Sequence, residues 1–405
     1  MKKDFKYKCD NCGKIYSIKI DLMLCPVCRE ENIEGKPLKG ILKVQLPKEL
    51  KNSLSRKKKI NIFDYLPIEE KYFPPINVGN TPLIEAKNIQ KDLDFKNIYL
   101  KFDGTNPTGS FKDRASYLVS AFAKKNKVNK IVVASTGNAA SSMAGIAAAA
   151  RQKTFIFLPH TVPKAKLVQC LQYGAKLIQI KGSYDKAFDL SLKFSEKTGY
   201  LNRNTAYNPM TIEGKKTVSF EIVEQLGEKK ADFVFLPVGD GVILSGVIKG
   251  FTDLKYLQRI KKIPKIIGVQ SKKSSFIYNA FKNKKYNFNY KANTIADSIS
   301  VDVARNGYMA VKDLKSIDGD MVLVSDKEIL SAQHKLAKIN GVFCEPSSAA
   351  SFAGFLKMKK NISKNKTIVL LLTGHGLKDI EAALKAVKLP KTYKADINFI
   401  MRNLY

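Results

Sequence analysis

One lysine stands where its amine could react with a carbonyl group. Lys112 lies in residues 107–114, where Thr108 and Ser110 can cap a helix and Gly109 gives the preceding turn its freedom. In the first helical turn, the positive end of the helix dipole disfavours an ammonium ion. The amine is then less basic, as a Schiff base with an aldehyde requires. Taken alone, however, a lysine at a helix start is usually a surface residue.

Two further segments, each directly after an apolar run, have the composition of anion sites. Residues 135–138, Ser-Thr-Gly-Asn, can present backbone N–H groups to a carboxylate or phosphate; a simple turn capped by Asn138 is the alternative. Residues 237–246 are glycine-rich and can hold a phosphate at a helix N-terminus. Leu244 occupies a position where the dinucleotide fingerprint needs glycine, and no Gly-Lys-Ser/Thr follows for a nucleotide P-loop.

A fourth segment, residues 372–379, offers the neutral hydroxyl of Thr373 between residues that allow close approach. It also contains His375, one of only three histidines, which is more often structural than catalytic in such a position. Together the four segments supply an amine for an aldehyde, dipoles for a phosphate and a hydroxyl for a pyridine nitrogen. That is the set of groups that pyridoxal phosphate requires.

The elements that must position these segments follow a strand-then-helix order. Buried parallel strands are predicted at residues 131–134, 155–158, 176–180, 233–236, 266–269 and 368–372, and helices at 139–150, 164–173 and 185–194. This order predicts an α/β fold of open twisted sheets covered by helices on both faces. Ligands in such folds lie beyond the carboxyl ends of the strands, where the four segments fall.

The cysteines are concentrated at the N-terminus, outside the predicted α/β region. Four of the six lie in the first 28 residues, as the pairs Cys9/Cys12 and Cys25/Cys28. Two facing CxxC pairs supply four thiolates to a tetrahedral structural zinc, with no open position for a substrate; a disulfide or redox pair is the alternative. Cys170 and Cys344 are predicted to be buried packing residues.

The chain resembles threonine synthase, a fold-type II pyridoxal-phosphate enzyme, from about residue 76 to residue 387. The motifs that carry the resemblance are residues 79–83, 107–114, 135–138, 213–217, 344–349 and 372–379. SFKDR and STGN occur across that superfamily, whereas the LTGHGLKD ending is more particular to threonine synthases. The resemblance implies a lyase that converts O-phosphohomoserine and water to threonine and phosphate.

The resemblance also implies a role for each matching residue. Lys112 would be the Schiff-base lysine and proton shuttle, Asn138 would bond the phenolic oxygen of the cofactor and Thr373 would face its pyridine nitrogen. The cofactor phosphate would be wrapped by the main chain of Gly239, Asp240, Gly241, Val242 and Ile243, and the amino-acid substrate would contact Ser135, Thr136 and Asn208. A homodimer is expected from the same resemblance.

Three positions depart from the threonine synthase pattern. Thr211 stands where many of these enzymes carry an arginine for the substrate phosphate, and Ala139 stands where threonine is common. Asp240 lies in the glycine loop, where a carboxylate near phosphates is unfavourable unless it points away or pairs with a lysine. Candidate replacements for the arginine are Arg203, Lys164 and Lys215. Alternatives that keep the cofactor are a cysteate-synthase-like enzyme acting on O-phosphoserine and a serine/threonine dehydratase.

The charge of the chain raises a further alternative. The net charge is +34, which is compatible with a nucleic-acid binder built on an inactive scaffold. The excess is almost all lysine and is spread over the whole chain, so a diffuse basic surface without nucleic acid is the favoured interpretation. No apolar run approaches the roughly 20 residues of a membrane helix, and the N-terminus lacks a signal-like apolar region. We therefore expect a cytoplasmic enzyme without a membrane partner.

Five regions are predicted. They are a zinc-ribbon-like knuckle at 1–33, a connector at 34–75, a large cofactor-binding domain at 76–114 and 201–390, a small mobile domain at 115–200 and a tail at 391–405. Residues 276–291, rich in lysine, asparagine and aromatics, are predicted to form a surface loop or insertion.

Overall fold

A computed structural model describes residues 4–55, 59–284, 286–288 and 291–404. Within these ranges the strands form three sheets. The strands are β1 (Lys6–Cys9), β2 (Ile15–Ser17), β3 (Leu42–Gln45), β4 (Leu83–Glu85), β5 (Asn97–Phe102), β6 (Lys130–Ala134), β7 (Lys153–Pro159), β8 (Lys176–Ile180), β9 (Leu201–Asn202), β10 (Phe233–Pro237), β11 (Lys265–Ser271), β12 (Asp320–Val324) and β13 (Thr367–Leu372).

Fifteen α-helices connect and cover these strands in the described ranges. They are α1 (Leu50–Ser55), α2 (Lys87–Leu93), α3 (Lys112–Lys125), α4 (Asn138–Ala149), α5 (Lys164–Gln172), α6 (Tyr184–Thr198), α7 (Pro209–Lys215), α8 (Thr217–Leu226), α9 (Val242–Tyr256), α10 (Phe276–Asn283), α11 (Gly307–Ser316), α12 (Asp326–Asn340), α13 (Pro346–Met358), α14 (Ile380–Leu384) and α15 (Ile397–Leu404). All six predicted strands and all three predicted helices are present, with ends shifted by a few residues.

The largest sheet has six strands in the order β12-β11-β10-β13-β5-β4, all parallel except β4, which runs antiparallel to β5. Every residue of β13 is buried. Val369 and Leu371 point into one hydrophobic core, whereas Ile368 and Leu370 point into a second core on the other face. A parallel strand with both faces covered reads as a continuous apolar run for this reason.

The second sheet is parallel throughout, in the order β8-β7-β6-β9, and uses residues 130–202. Strand β6, one of the two inner strands, is buried along residues 131–134 and ends directly before the Ser135 turn. Strands β6, β10 and β13 are therefore each followed, at the carboxyl end, by a predicted site segment. The boundaries and the mobility of a small domain around this sheet stay a prediction.

The third sheet is a small antiparallel one, β2-β1-β3, that holds the N-terminal cysteines. It packs against the rest of the chain through β3, which contacts α7, and through an ion pair between Lys43 and Asp313 of α11. The N–H of Leu38 also donates to the carbonyl of Arg305, at 2.9 Å. The N-terminal segment is thus joined to the body of the fold by polar contacts as well as by packing.

The prediction of a surface loop at residues 276–291 is wrong for its first half. Helix α10 occupies Phe276–Asn283, and Phe276, Ile277 and Ala280 are buried against the main core. Lysines and asparagines on the outer face of this helix conceal its apolar stripe, which is why composition alone suggested a loop. Positions 285, 289 and 290 of the predicted segment lie outside the described residues.

No helix in the described ranges is both long enough and apolar enough to cross a membrane.

Candidate active site

Lys112 is the first residue of α3 and lines a cavity of about 410 Å³. The turn before it is fixed to the end of β13, because the N–H of Phe111 donates to the carbonyl of Thr373 at 2.8 Å. Gly109 has a φ of +82°, the left-handed region that glycine tolerates, as the sequence predicted. The lysine therefore stands between the two predicted loops at 107–111 and 372–379.

The predicted capping of this helix by Thr108 or Ser110 is wrong. Phe111 occupies the cap position, and its side chain forms no capping bond. The N–H and the hydroxyl of Thr108 instead donate to the carboxylate of Asp113, at 2.8 and 2.5 Å. The polar residues of the turn thus bind a carboxylate inside the helix, because Asp113 is buried and needs those donors.

The pKa of Lys112 is lowered from that of an ordinary lysine. Burial is the main cause, and the nearby guanidinium of Arg203 acts in the same direction, while Asp240 opposes both. The sequence predicted a less basic amine from the helix dipole; the structure adds desolvation as the larger reason. An amine of this kind is more available in the neutral, nucleophilic form.

The Ser135–Asn138 turn lines the same cavity from the four-stranded sheet. Asn138 does not cap α4; its amide donates to Ser298 Oγ at 3.1 Å and to Glu345 Oε2 at 2.9 Å. The amide is therefore held in place by residues 160 and 207 positions away in sequence. Ser135 and Thr136 line the cavity with it, as the prediction for the substrate carboxylate requires.

The glycine loop lies at the start of α9 and, with Lys112, lines a small cavity of about 60 Å³. Gly241 has a φ of +89°, and a Cβ there would lie 2.7 Å from the Cβ of Ala310. Gly241 at the N-cap of α9 has no side chain, and the N–H of Val242 donates to Asp240 Oδ1 at 3.0 Å, so an anion at this helix end would bind to the N–H groups that follow. The tight cradle, the helix end and the adjacent amine fit the phosphate and the aldehyde of pyridoxal phosphate.

Asp240 was predicted to point away from phosphates or to pair with a lysine, and it faces two lysines. Burial alone would raise the pKa of its carboxyl, but Lys112, Lys215 and the N–H of Val242 outweigh burial and hold the pKa below the usual value. The N–H of Val242 donates to Asp240 Oδ1 at 3.0 Å. The carboxylate is therefore compensated by cations and by the loop itself.

Arg203 and Lys215 lie beside Lys112, whereas Thr211 and Lys164 do not. Arg203 lines the larger cavity and is 1% exposed, and Lys215 is completely buried. Thr211 is buried within α7 and donates its hydroxyl to the carbonyl of Asn208 at 2.8 Å. Lys164 is exposed at the start of α5 and is not among the residues that line the cavity.

Three predicted site residues, Val242, Asn208 and Thr373, are not among those that line either cavity. Asn208 caps α7, since its Oδ1 accepts from the N–H of Met210 and its Nδ2 donates to the carbonyl of Asn202. Its predicted contact with substrate gains no support from this geometry. Thr373 is buried beside Ser348, with 3.2 Å between the hydroxyl oxygens, and its role at the pyridine nitrogen stays a prediction.

Several cavity residues were not predicted from the sequence, namely Ser298, Ser300, Tyr184, Asp185 and Arg305. Arg305 pairs with Asp185 at 2.5 Å and lies over the ring of Phe188 at 4.7 Å. These residues come from two segments without glycine-rich motifs, so no local pattern marked them. For Glu345, the Cys-Glu-Pro-Ser-Ser-Ala motif was the available signal.

The four N-terminal thiols are brought together as predicted. Their sulfur atoms all lie within 4.8 Å of one another, with 3.8 Å between Cys9 and Cys28 and 3.7 Å between Cys12 and Cys25. A tetrahedron with Zn–S bonds of about 2.3 Å has edges of about 3.8 Å. All four cysteines are free thiols, so the disulfide alternative is not what the structure shows. The arrangement fits a zinc ion.

Comparison with known proteins defines the class. Residues 75–374 match the family described as "Pyridoxal-phosphate dependent enzyme", and the chain belongs to that family. Among solved structures, threonine deaminase isoform 2 from Solanum lycopersicum superposes with a TM-score of 0.65 at 24% identity, covering 76% of this chain and 88% of that one. This likeness confirms the predicted fold-type II architecture.

Curated relatives place the chain more closely, among the threonine synthases. The threonine synthase of Methanocaldococcus jannaschii is 35% identical over 412 residues, which cover 98% of both chains. The threonine synthase of Methanosarcina acetivorans is 34% identical over 84% of this chain and 85% of its own length. The chain is thus a threonine synthase-like member of the pyridoxal-phosphate lyases, as the sequence motifs predicted.

Proposed function

We propose that the protein converts O-phosphohomoserine and water to threonine and phosphate. The observation that carries this proposal is the full-length similarity to a threonine synthase, 35% identity over 98% of both chains. The site geometry supports it, because one cavity joins the Lys112 amine to the Ser135 turn, and a cradle for a phosphate adjoins that amine.

When bound, pyridoxal phosphate supplies an electron sink for charge that develops at the carbon atoms of the substrate. The protein has to orient the substrate and move protons. The hydroxyl groups of Ser135 and Thr136, with the N–H of Thr136, bind the substrate carboxylate, and the lowered pKa of Lys112 leaves its amine able to take and return the proton at Cα. Asn138, whose amide is held by Glu345 and Ser298, would contact the cofactor ring and help to position it.

The first experiment incubates the cofactor-loaded protein with O-phosphohomoserine and measures threonine and phosphate. We expect equimolar products, and a decrease in turnover of at least about a thousandfold in Lys112→Ala. Lys125→Ala, an exposed position at the other end of the same helix, is the matched control and should keep wild-type turnover. Turnover of O-phosphoserine or threonine, without turnover of O-phosphohomoserine, would instead support the cysteate-synthase-like or dehydratase alternative.

Borohydride reduction tests the position of the amine independently of turnover. We expect the reduced cofactor on the peptide that contains Lys112. A label on another lysine, or on none, would contradict the proposed site.

We also propose that Cys9, Cys12, Cys25 and Cys28 bind a structural zinc ion. The support is the donor set and its spacing, which match a closed tetrahedral site. Metal analysis of the purified protein should give one zinc per chain, and Cys12→Ser with Cys25→Ser should abolish it. The control Cys170→Ser should leave the zinc content unchanged, because that thiol lies in α5.

A cytoplasmic location, the absence of a nucleic-acid partner and a homodimer remain predictions. Sedimentation equilibrium tests the last of these directly. A molecular mass near twice 45.2 kDa is expected.

A further inference from the structure

Two buried basic side chains beside Lys112 each have a donor atom without a hydrogen-bond partner in the described residues. The Nζ atom of Lys215 and the Nη2 atom of Arg203 are buried, and neither has a hydrogen-bond partner in the described structure. The other contact of Arg203 is weak, since Nε donates to Ser116 Oγ at 3.3 Å. Buried polar donors are normally hydrogen-bonded, so two unsatisfied donors at one place indicate that a ligand completes the site.

The carboxyl groups around these cations do not satisfy them. Asp240 faces Lys112, Arg203 and Lys215, so a single carboxylate serves three basic side chains. Asp113 is bound by Thr108, and Glu345 is bound by Asn138 and Ser298.

The pKa values of three acidic groups near Lys112 and Arg203 are raised by burial. Burial raises the pKa of Asp113 to about 6 and also raises the pKa of Glu345. It raises the pKa of Tyr184 to about 12, so this phenol is neutral at physiological pH. Tyr184 therefore adds no counter-charge, and the carboxyl oxygens of Asp113 and Glu345 are engaged by Thr108, Asn138 and Ser298, so Arg203 and Lys215 keep donors for a further anion.

The position of Arg203 separates this anion from the cofactor phosphate. The small cavity at the glycine loop is lined by Lys112, Gly239 and Gly241 but not by Arg203. Arg203 lines the larger cavity, together with the Ser135 turn that is proposed to bind the substrate carboxylate. An anion at Arg203 is therefore on the substrate side of Lys112.

Acidic residues also line the larger cavity, so the net charge of its lining does not by itself indicate an anion site. Asp185 is neutralised by Arg305 at 2.5 Å, and Asp302 accepts from the N–H of Ala292 at 2.8 Å. Asp297 has an interaction partner as well. These carboxylates have their own partners, whereas Arg203 Nη2 and Lys215 Nζ are basic donors without a hydrogen-bond partner in the described residues.

We infer that Arg203 binds the phosphoryl group of the substrate directly and that Lys215 is a positioning residue behind it that supplies the second positive charge. This assignment rests on the proposed function. It gives Arg203 the role that many threonine synthases give to an arginine at the position of Thr211. A guanidinium fork suits a phosphate because it donates two parallel hydrogen bonds. Lys215 lies against α9, where a Cβ on Gly246 would be 2.7 Å from its Cβ, so glycine at 246 is what makes room for it.

The test measures binding of inorganic phosphate to the cofactor-loaded enzyme by isothermal titration calorimetry. Arg203→Met should weaken phosphate binding about 10- to 100-fold and raise KM for O-phosphohomoserine similarly, while cofactor content and absorbance stay those of the wild type. Arg203→Lys should restore part of the affinity, since it keeps the charge but loses the fork. Arg151→Met, an exposed arginine after α4, is the control and should change nothing.

Lys215→Met tests the positioning role. Burial and two neighbouring cations lower the pKa of Lys215 well below the usual value, so phosphate binding should be accompanied by proton uptake at this amine. Titrations in buffers of different ionisation enthalpy should show that uptake for the wild type and show less of it for Lys215→Met. Equal proton uptake in both proteins would overturn the role given to Lys215.

Two outcomes would overturn the assignment of Arg203. They are unchanged phosphate affinity in Arg203→Met, or loss of cofactor from that variant, which would place Arg203 on the cofactor phosphate. Failure of the proposed function looks different. If the wild type makes no threonine but binds phosphate through Arg203, the anion site stands and the substrate is another phosphorylated amino acid.

Discussion

Lys215 and Lys216 are neighbours in sequence and both are completely buried, yet their surroundings differ sharply. The Lys216 ammonium donates to the carbonyl of Tyr65 at 2.9 Å and to Asp253 at 2.9 Å, and it pairs with Glu213. The Lys215 ammonium has no such partner in the described structure. One lysine belongs to a closed ionic network, and the other belongs to a site that is incomplete without a ligand.

The same contrast separates Lys112 from Arg114, two residues along α3. Arg114 donates to Asp103 at 2.5 Å, to Glu221 at 2.8 Å and to Thr217 at 3.0 Å. Lys112 instead faces a cavity. Burial and charge are therefore poor indicators of function by themselves. What distinguishes the site is that the donors of its buried cations remain unsatisfied by the protein.

The largest effect should come from removing a satisfied cation. Lys216→Met leaves the buried carboxylate of Glu213 with Lys249 as its ion-pair partner, at 3.1 Å, and should lower the free energy of unfolding by about 3–5 kcal/mol. Lys215→Met removes an unpaired cation and should change that free energy by less than about 1 kcal/mol. Urea unfolding of the two variants, without phosphate, makes the comparison. Equal losses would show that Lys215 is also a structural residue.

A smaller effect is expected from the pH dependence of the buried ion pairs that Glu221 forms with Arg114 and Lys101. Burial favours the neutral carboxyl of Glu221, but Arg114 and Lys101 outweigh burial and lower its pKa to about 2. A carboxyl whose pKa is depressed by folding stabilises the native state above its unfolded pKa and loses that contribution as pH falls towards the folded value. Between pH 7 and pH 3 the stability advantage of the wild type over Glu221→Gln should shrink by about 2 kcal/mol.

The control for this measurement is Asp94→Asn. Asp94 is an exposed carboxylate that lies 3.8 Å from Lys364. Exposed pairs of this kind contribute little, so the difference between the wild type and this variant should not vary with pH. If the stability difference between the wild type and Glu221→Gln also did not vary with pH, the stabilising role of the Glu221 ion pairs would be contradicted.

Sequence reasoning succeeded where the signal was local. The apolar runs at 131–134 and 368–372 become buried strands because each can be recognised without knowledge of its neighbours. The turns that follow them could be located for the same reason. Lys112 was identified because residues 107–114 form a compact motif at the start of a helix.

The rest depended on contacts between distant segments. The partners of Asn138 lie 160 and 207 residues away, and Arg305 reaches Asp185 over 120 residues. No spacing rule relates such positions in one sequence. Arg203 could be proposed as an anion partner, but its burial and its unpaired donor are properties of tertiary packing alone.

The smallest effect should come from the pair that joins the two sides of the cavity. Arg305 precedes α11 and is held by Leu38, while its partner Asp185 lies in α6, which covers the four-stranded sheet. If that sheet moves over bound substrate, as the resemblance implies, this pair favours the closed arrangement. A partly exposed pair contributes up to about 1 kcal/mol, so Asp185→Asn should raise KM by up to about fivefold and change kcat by less than twofold.

A matched ion pair on the surface tests whether a change in KM reflects closure of the cavity or only the loss of one charge. Glu69 pairs with Lys125 at 2.8 Å, and neither residue lines the cavity. Glu69→Gln should leave KM unchanged, whereas high salt should reduce the difference between the wild type and Asp185→Asn because it screens the pair. An equal change in KM for both variants would mean that the Arg305–Asp185 pair has no specific role in closing the site.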